Sequence, residues 1–266
     1  MSVIFINPYR FGVTYDADAA AYIAAVEAAD GQALEKAVKD AINAFVVGCK
    51  TDGTWNAIKA SCILAGARTL AGALVPLVGA APTNVGFPAG SYNRKTGLLG
   101  NGASYYLNSN RNNNADPQNS QHMACWVSSA PVGGTFPVYI GTGDTLAGTN
   151  NLGVGIAGNF IFVRSRNATA DTIASAGTST GFIGTNRASA ASYVLRVNNA
   201  NTTFSRTSDL PLNRLLLVFA TSNNFGTIDL FSTARLAFYS IGEAVDLALL
   251  DARVAALINA LAAAIP

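Results

Sequence analysis

From Tyr92 onward the chain breaks into short β-prone runs separated by Gly, Asn, Ser and Pro, and this punctuation constrains the fold more than any other feature. Runs of that length bury a face only by stacking one sheet on another, so they predict a sandwich or barrel. Nine candidate strands follow, at residues 105–107, 123–128, 138–140, 152–156, 160–164, 180–184, 192–197, 215–220 and 235–240. Ala157-Gly158-Asn159 reads as a hairpin turn, and Asn198-Asn199 as a place for positive φ. Arg164 and Arg166 stand two apart, which on a continuous strand puts both on one face.

The segment before residue 90 has a different period. Tyr22, Ile23, Val26, Leu34, Val38, Ile42 and Phe45 recur at steps of three and four, predicting helices over 16–29 and 31–47 that are broken at Asp30-Gly31 and end at Gly48. Thr54 is placed to cap a third short helix with Trp55, Ile58 and Cys62 on one face. The Gly-, Ala- and Pro-rich stretch 65–90 reads as a connection. At the other end Leu247, Leu250, Val254, Leu257, Ile258, Leu261 and Ile265 form the stripe of a final helix that packs on the rest of the chain. The expected organisation is a helical attachment segment and linker over 1–90 and a β-sandwich with a trailing helix over 91–266.

Charge bears on partners. Only 12% of residues are charged, against about a quarter in an average domain, and Asn, Thr, Ser and Gly supply the polarity. Residues 85–240 carry ten Lys and Arg against five Asp and Glu, but the bases are scattered singly, so no nucleic-acid stripe is expected. The longest apolar run, 62–78, is interrupted by Arg68 and Pro76, and no membrane span is expected. The N-terminus lacks the basic start and long apolar stretch of a signal peptide. Cys49, Cys62 and Cys125 have no metal-ligand spacing and read as buried free thiols.

Catalytic groups are sparse. His122 is the single histidine, and Cys125, three residues on, falls on the opposite face of a strand, so a nucleophile–base pair is not expected there. The most unusual segment is Asn108–Asn119. Its members Arg111, Asn112, Asn113, Asn114 and Asp116 are the candidate contacts for a glycan or for a neighbouring subunit, since Asn presents donor and acceptor together and Arg adds a charged donor. An ordered loop held by Asx turns is the plainer reading of the same residues. A sugar site also needs an aromatic face, and alternation allows only one of Tyr105 and Tyr106 to join the loop while the other enters the core.

The order of local patterns resembles a concanavalin A-like lectin/glucanase jelly roll of the laminin-G type over about residues 95–262. Gly97-Leu98-Leu99-Gly100-Asn101-Gly102 before Tyr105-Tyr106-Leu107 is similar to that family's opening strand, His122-Met123-Ala124-Cys125-Trp126-Val127 to its central strand, and Phe238-Tyr239-Ser240-Ile241-Gly242-Glu243 to its last. The front of the chain, with Asn7-Pro8-Tyr9-Arg10-Phe11, the Ala-rich helices, residues 58–69 and Tyr92-Asn93-Arg94-Lys95-Thr96-Gly97-Leu98, resembles virion structural proteins of tailed bacteriophages, tail fibres or other appendages and capsid decoration proteins.

These resemblances imply a mainly β, jelly-roll protein of a virion that assembles with other virion proteins and with copies of itself, without enzymatic activity. A lectin-like module for a host-surface glycan is the alternative, and a glycan hydrolase a more distant third. Glucanases of this fold use paired carboxylates roughly 5–5.5 Å apart, commonly as Glu-x-Asp-x-x-Glu. Here Glu27, Glu35 and Glu243 lie outside the strands, and Asp116, Asp144, Asp171, Asp209 and Asp229 are dispersed. No cofactor is expected apart from calcium, which the resemblance leaves open at Asp116 and Asp144.

Overall fold

The structure, a computed structural model, describes residues 14–133, 136–155, 160–174 and 180–265. In chain order it contains α1 (Ala17–Asp30), α2 (Lys36–Thr51), β1 (Ile58–Ile63), α3 (Leu70–Ala73), β2 (Thr83–Val85), β3 (Tyr92–Asn93), β4 (Gly97–Leu99), β5 (Tyr106–Asn112), β6 (Gln121–Ser129), β7 (Val138–Thr142) and β8 (Asn150–Val154). Then follow β9 (Phe160–Ser165), β10 (Asp171–Ala174), β11 (Gly181–Arg187), β12 (Ser192–Val197), β13 (Ala200–Ser205), β14 (Leu215–Val218), β15 (Thr221–Ser222), β16 (Ile228–Asp229), β17 (Arg235–Gly242) and α4 (Leu247–Ala264).

The first sheet runs β13-β12-β11-β6-β17-β4-β3, with β1 also paired to β17, and the second runs β10-β9-β8-β7-β14-β5-β2. Between them lies one apolar core, in which Met123, Cys125, Val127, Ile183 and Tyr239 of the first sheet meet Leu107, Ile140, Leu152, Ile161 and Val218 of the second. Alternation then puts Ala124, Phe182 and Phe238 on the outer face of the first sheet. There they form a second core with Tyr22, Ile23 and Val26 of α1, Val38, Ile42 and Phe45 of α2, and Leu250, Val254 and Leu257 of α4. The ring of Phe45 meets Phe238 edge-on at 5.7 Å. The register of β17 against β6 slips between Leu236 and Phe238, and this bulge turns both Ala237 and Phe238 toward the helices. The molecule therefore has three layers: helices, first sheet, second sheet.

Several sequence expectations change here. Thr54 does not begin a helix of any length. One 3₁₀ turn (Trp55–Ala57) leads directly into β1, where Ala60 and Cys62 enter the inter-sheet core and Ile63 the helical core as a strand alternates, and a register shift after Ile58 turns that residue to the helical core as well. The segment 65–90 is more than a connection, since it supplies α3 and the edge strand β2, paired with β5. Arg164 and Arg166 part company because Arg166 takes φ 56° just past the end of β9 and is buried, while Arg164 stays half-exposed on the outer face. Eight strands escape the sequence reading: β1, β2, β3, β4, β10, β13, β15 and β16.

Other expectations stand. The break at Asp30-Gly31 is a helix stop, with Gly31 at φ 64° donating to Ala28 O and Gln32 to Glu27 O. Asn198 and Asn199 take φ of 50° and 61°. The proposed turn at 157–159 lies outside the described residues. Helix α4 is long and apolar enough by composition to cross a membrane, yet its stripe is buried on α2 and the first sheet, tied by Arg253 to Asp52 at 2.7 and 2.9 Å. All three cysteines are buried and free, and burial pushes the Cys49 thiol up to about 11 and Cys62 to about 12.

Candidate functional site

With helices over the first sheet, the outer face of the second is the exposed sheet face among the described residues. On β5 the inward residues are Leu107 and Ser109, so Tyr106 and Asn108 point outward. Asn110 takes φ 55°, and between Asn108 and Asn112 strand β5 spends four residues where β14 spends two, from Leu217 to Leu215. This bulge re-aims the end of β5. Tyr106, Asn108 and Asn112 then share a groove of about 480 Å³ with Asn213, Arg214, Leu215 and Leu217.

The β15–β16 hairpin forms the opposite wall through Ser222, Gly226 and Ile228. It is pinned by Arg214, whose guanidinium donates to Asn223 O at 2.7 Å and Asn224 O at 2.9 Å, and by Asn224, whose amide bonds Thr145 at 2.9 Å. Asn223 Oδ1 accepts from the backbone of Phe225 and Thr227 and closes the tip. Phe225, at that tip, is 93% exposed. On the groove floor Asn112 Nδ2 donates to Asn213 Oδ1 at 3.0 Å, and Asn108 Oδ1 accepts from Asn110 N at 2.9 Å. Asn108 Nδ2, Asn112 Oδ1 and Asn213 Nδ2 have no partner among the described residues. The groove thus offers two amide donors and one acceptor beside an aromatic ring and a strip of leucine, with no carboxylate in its lining.

The five residues singled out by composition do not stay together. Arg111 and Asp116 form a two-pronged ion pair in which Asp116 is buried. Asn113 is also buried, donating to Gly148 O at 2.9 Å and accepting from Asn150 at 3.1 Å, while its carbonyl accepts from Arg166 at 2.6 Å. Asn114 is exposed, and Asn112 alone of the five lines the groove. The segment is therefore largely an internal clasp between β5, β8 and β9. Tyr106 joins the groove while Tyr105 packs on Phe87 at 5.2 Å, the division that alternation requires. Trp126 lies on the other face of the molecule, against the helical core. Sequence reasoning missed Asn213 and the β15–β16 hairpin. The Asn223-Asn224-Phe225-Gly226 string was the one signal for it.

The titratable groups of the described residues are mostly tied into internal pairs. His122 Nδ1 donates to Glu243 O at 2.6 Å, which leaves Nε2 to accept from Ser240 Oγ at 2.7 Å. This is a hydroxyl–imidazole pair, but both residues are buried, and burial lowers the imidazole to about 4, so it stays neutral. Asp171 is held by Arg206 and Tyr193, Asp116 by Arg111, and no group of three or more His, Cys, Asp or Glu converges among the described residues.

No protein family and no curated protein matches the sequence. Among solved structures, the binding domain of botulinum neurotoxin serotype D superposes with a TM-score of 0.51 at 10% identity, over 79% of this chain and 52% of that one. The chain thus spans about half of that structure. The CBM40 of a Ruminococcus gnavus IT-sialidase, bound to alpha2,6 sialyllactose, gives 0.41 at 10% identity over 51% and 83%. The enzymatically active domain of bacteriophage CBA120 tailspike protein 2 gives 0.42 at 16% over 67% and 29%. Of these three, the first is close enough to show a shared fold. Layers, strand order and that likeness together make this chain a jelly-roll β-sandwich with helices over one face.

Proposed function

We propose that this protein binds a glycan in the groove of the second sheet, without turning it over. The observation that carries the reading is the set of amide groups left open on Asn108, Asn112 and Asn213 beside the ring of Tyr106. Sugar hydroxyls donate and accept in pairs, as amides do, and the C–H face of a pyranose stacks on an aromatic ring. The lining holds amides, a hydroxyl and the hairpin-bonded guanidinium of Arg214 but no carboxylate, which supports binding of a saccharide rather than its hydrolysis. The test is a glycan array followed by calorimetry on the best oligosaccharide. Tyr106→Ala and the double variant Asn112→Ala/Asn213→Ala should each weaken binding by roughly tenfold or more with little change in melting temperature. Unaltered affinity in both would overturn the assignment, and release of reducing sugar on long incubation would overturn the non-enzymatic part.

The setting we propose is the virion of a tailed phage, as an appendage or decoration protein in contact with its own copies and with other virion proteins. The sequence likeness of residues 7–11, 58–69 and 92–98 supports this, and the exposed Val132, Leu210 and Phe225 offer apolar contacts for neighbours. Mass spectrometry of purified particles should find the chain in stoichiometric amount. Its absence from particles would remove the setting and leave the groove reading intact.

A further inference from the structure

The same sheet face carries a second pocket, of about 300 Å³, whose chemistry is unlike that of the asparagine groove. Its walls are Phe136, Phe160, Phe162 and Leu230, with Arg164, Asp144 and Thr172 at the polar end. The aromatic walls are built into the strand sequence. A Cβ on Gly153 would fall 2.8 Å from the ring of Phe162, and one on Gly155 would fall 2.0 Å from the ring of Phe160, so both rings lie where only glycine leaves them room. Phe136 closes the third side, edge-on to Phe162 at 5.8 Å and tilted to Phe160 at 6.3 Å.

The polar end is oriented yet unsatisfied. Arg164 Nε donates to Ala168 O at 3.0 Å, which fixes the plane of the guanidinium while its two terminal nitrogens have no partner among the described residues. The backbone N–H of Asp144 is bonded to Asn224, but its carboxylate accepts no hydrogen bond among those residues and forms no ion pair with Arg164. One open charge of each sign therefore stands over an apolar cup. A purely apolar ligand would desolvate both charges without compensation. A simple anion would face Asp144, and a simple cation Arg164. A small zwitterion with an apolar body satisfies all three.

We propose that this pocket binds a free apolar amino acid, with its side chain among the three phenylalanines, its carboxylate on Arg164 and its ammonium group at Asp144. The proposal stands apart from the glycan reading, since the two pockets share no lining residue. The test titrates the full chain with L-phenylalanine by calorimetry or ligand-observed NMR, and in parallel with phenylacetate and phenethylamine, which each keep one charge. Saturable binding of phenylalanine is expected, with each single-charge analogue weaker by roughly tenfold or more. Arg164→Met and Asp144→Asn, each checked for unchanged melting, should lose a similar factor, whereas Tyr106→Ala should bind phenylalanine as the parent does. No saturable binding, equal binding of phenylacetate, or indifference to both rim variants would overturn it.

Discussion

Asn113 and Asn114 are neighbours of identical chemistry, and the structure assigns them opposite weights. The amide of Asn113 is buried with both ends bonded, so Asn113→Ala removes two buried hydrogen bonds, while Asn150 keeps Gln121 and Gly148 O keeps Leu212 N, at a cost of about 1–3 kcal/mol. Exposed Asn114→Ala should change stability by less than about 0.5 kcal/mol. Chemical denaturation of the two variants side by side checks the difference. His122 makes a pH prediction at the same scale. Burial holds it neutral down to about 4, whereas the unfolded chain protonates it near its ordinary value of 6.5. The unfolded state therefore binds the extra proton between those values, and stability falls as pH drops from 6.5 toward 4, by on the order of 3 kcal/mol. Glu35 acts lower. Its hydrogen bonds to Arg94 hold it near 2, so its contribution is present above its ordinary 4.5 and fades as pH falls through 4.5 toward 2. His122→Gln should flatten the upper part of the pH–stability curve and leave the lower part. An unchanged slope above pH 4.5 would contradict the assignment.

At the scale of elements, the first sheet is covered on both faces, and this decides what α1 and α2 do. Removing residues 1–53 would bare Phe238 and the α2-facing side of the α4 stripe, an apolar surface the remainder of the chain has nothing to cover. The truncated chain is expected to aggregate or to expose dye-binding surface rather than persist as a soluble sandwich. A monodisperse truncation with a sharp melting transition would show that the inter-sheet core suffices. A milder probe of the same interface is Phe238→Ala, expected to cost about 3–5 kcal/mol because the ring is enclosed by α2 and the strand bulge holds it in place.

Across the whole molecule, the two cores share a sheet, so loss of one removes a wall of the other. Helical ellipticity and the fluorescence of Trp55 and Trp126 should report one transition with a common midpoint, and separated midpoints would mean that the layers unfold independently. The same layering confines function. Helices occupy one face, and both candidate pockets lie on the other, on either side of the β15–β16 hairpin. Local periodicity was enough to determine the class: alternating runs after Tyr92, three- and four-residue stripes at both ends, the stop at Gly31 and the positive-φ pair at Asn198-Asn199 all act within a few residues. Strands such as β1, β2 and β13 were not legible, because β1 is buried on both sides, β2 is three residues long and β13 is polar at an edge, so none carries the alternation that marks a half-buried strand. The site divides in the same way. Tyr106 facing out and Tyr105 facing in followed from the pleat alone. That Asn113 would be buried, that Asn112 would meet Asn213 a hundred residues away, and that Arg164 and Arg166 would diverge at one left-handed residue were decided by the tertiary structure, since each depends on which distant strand lies alongside.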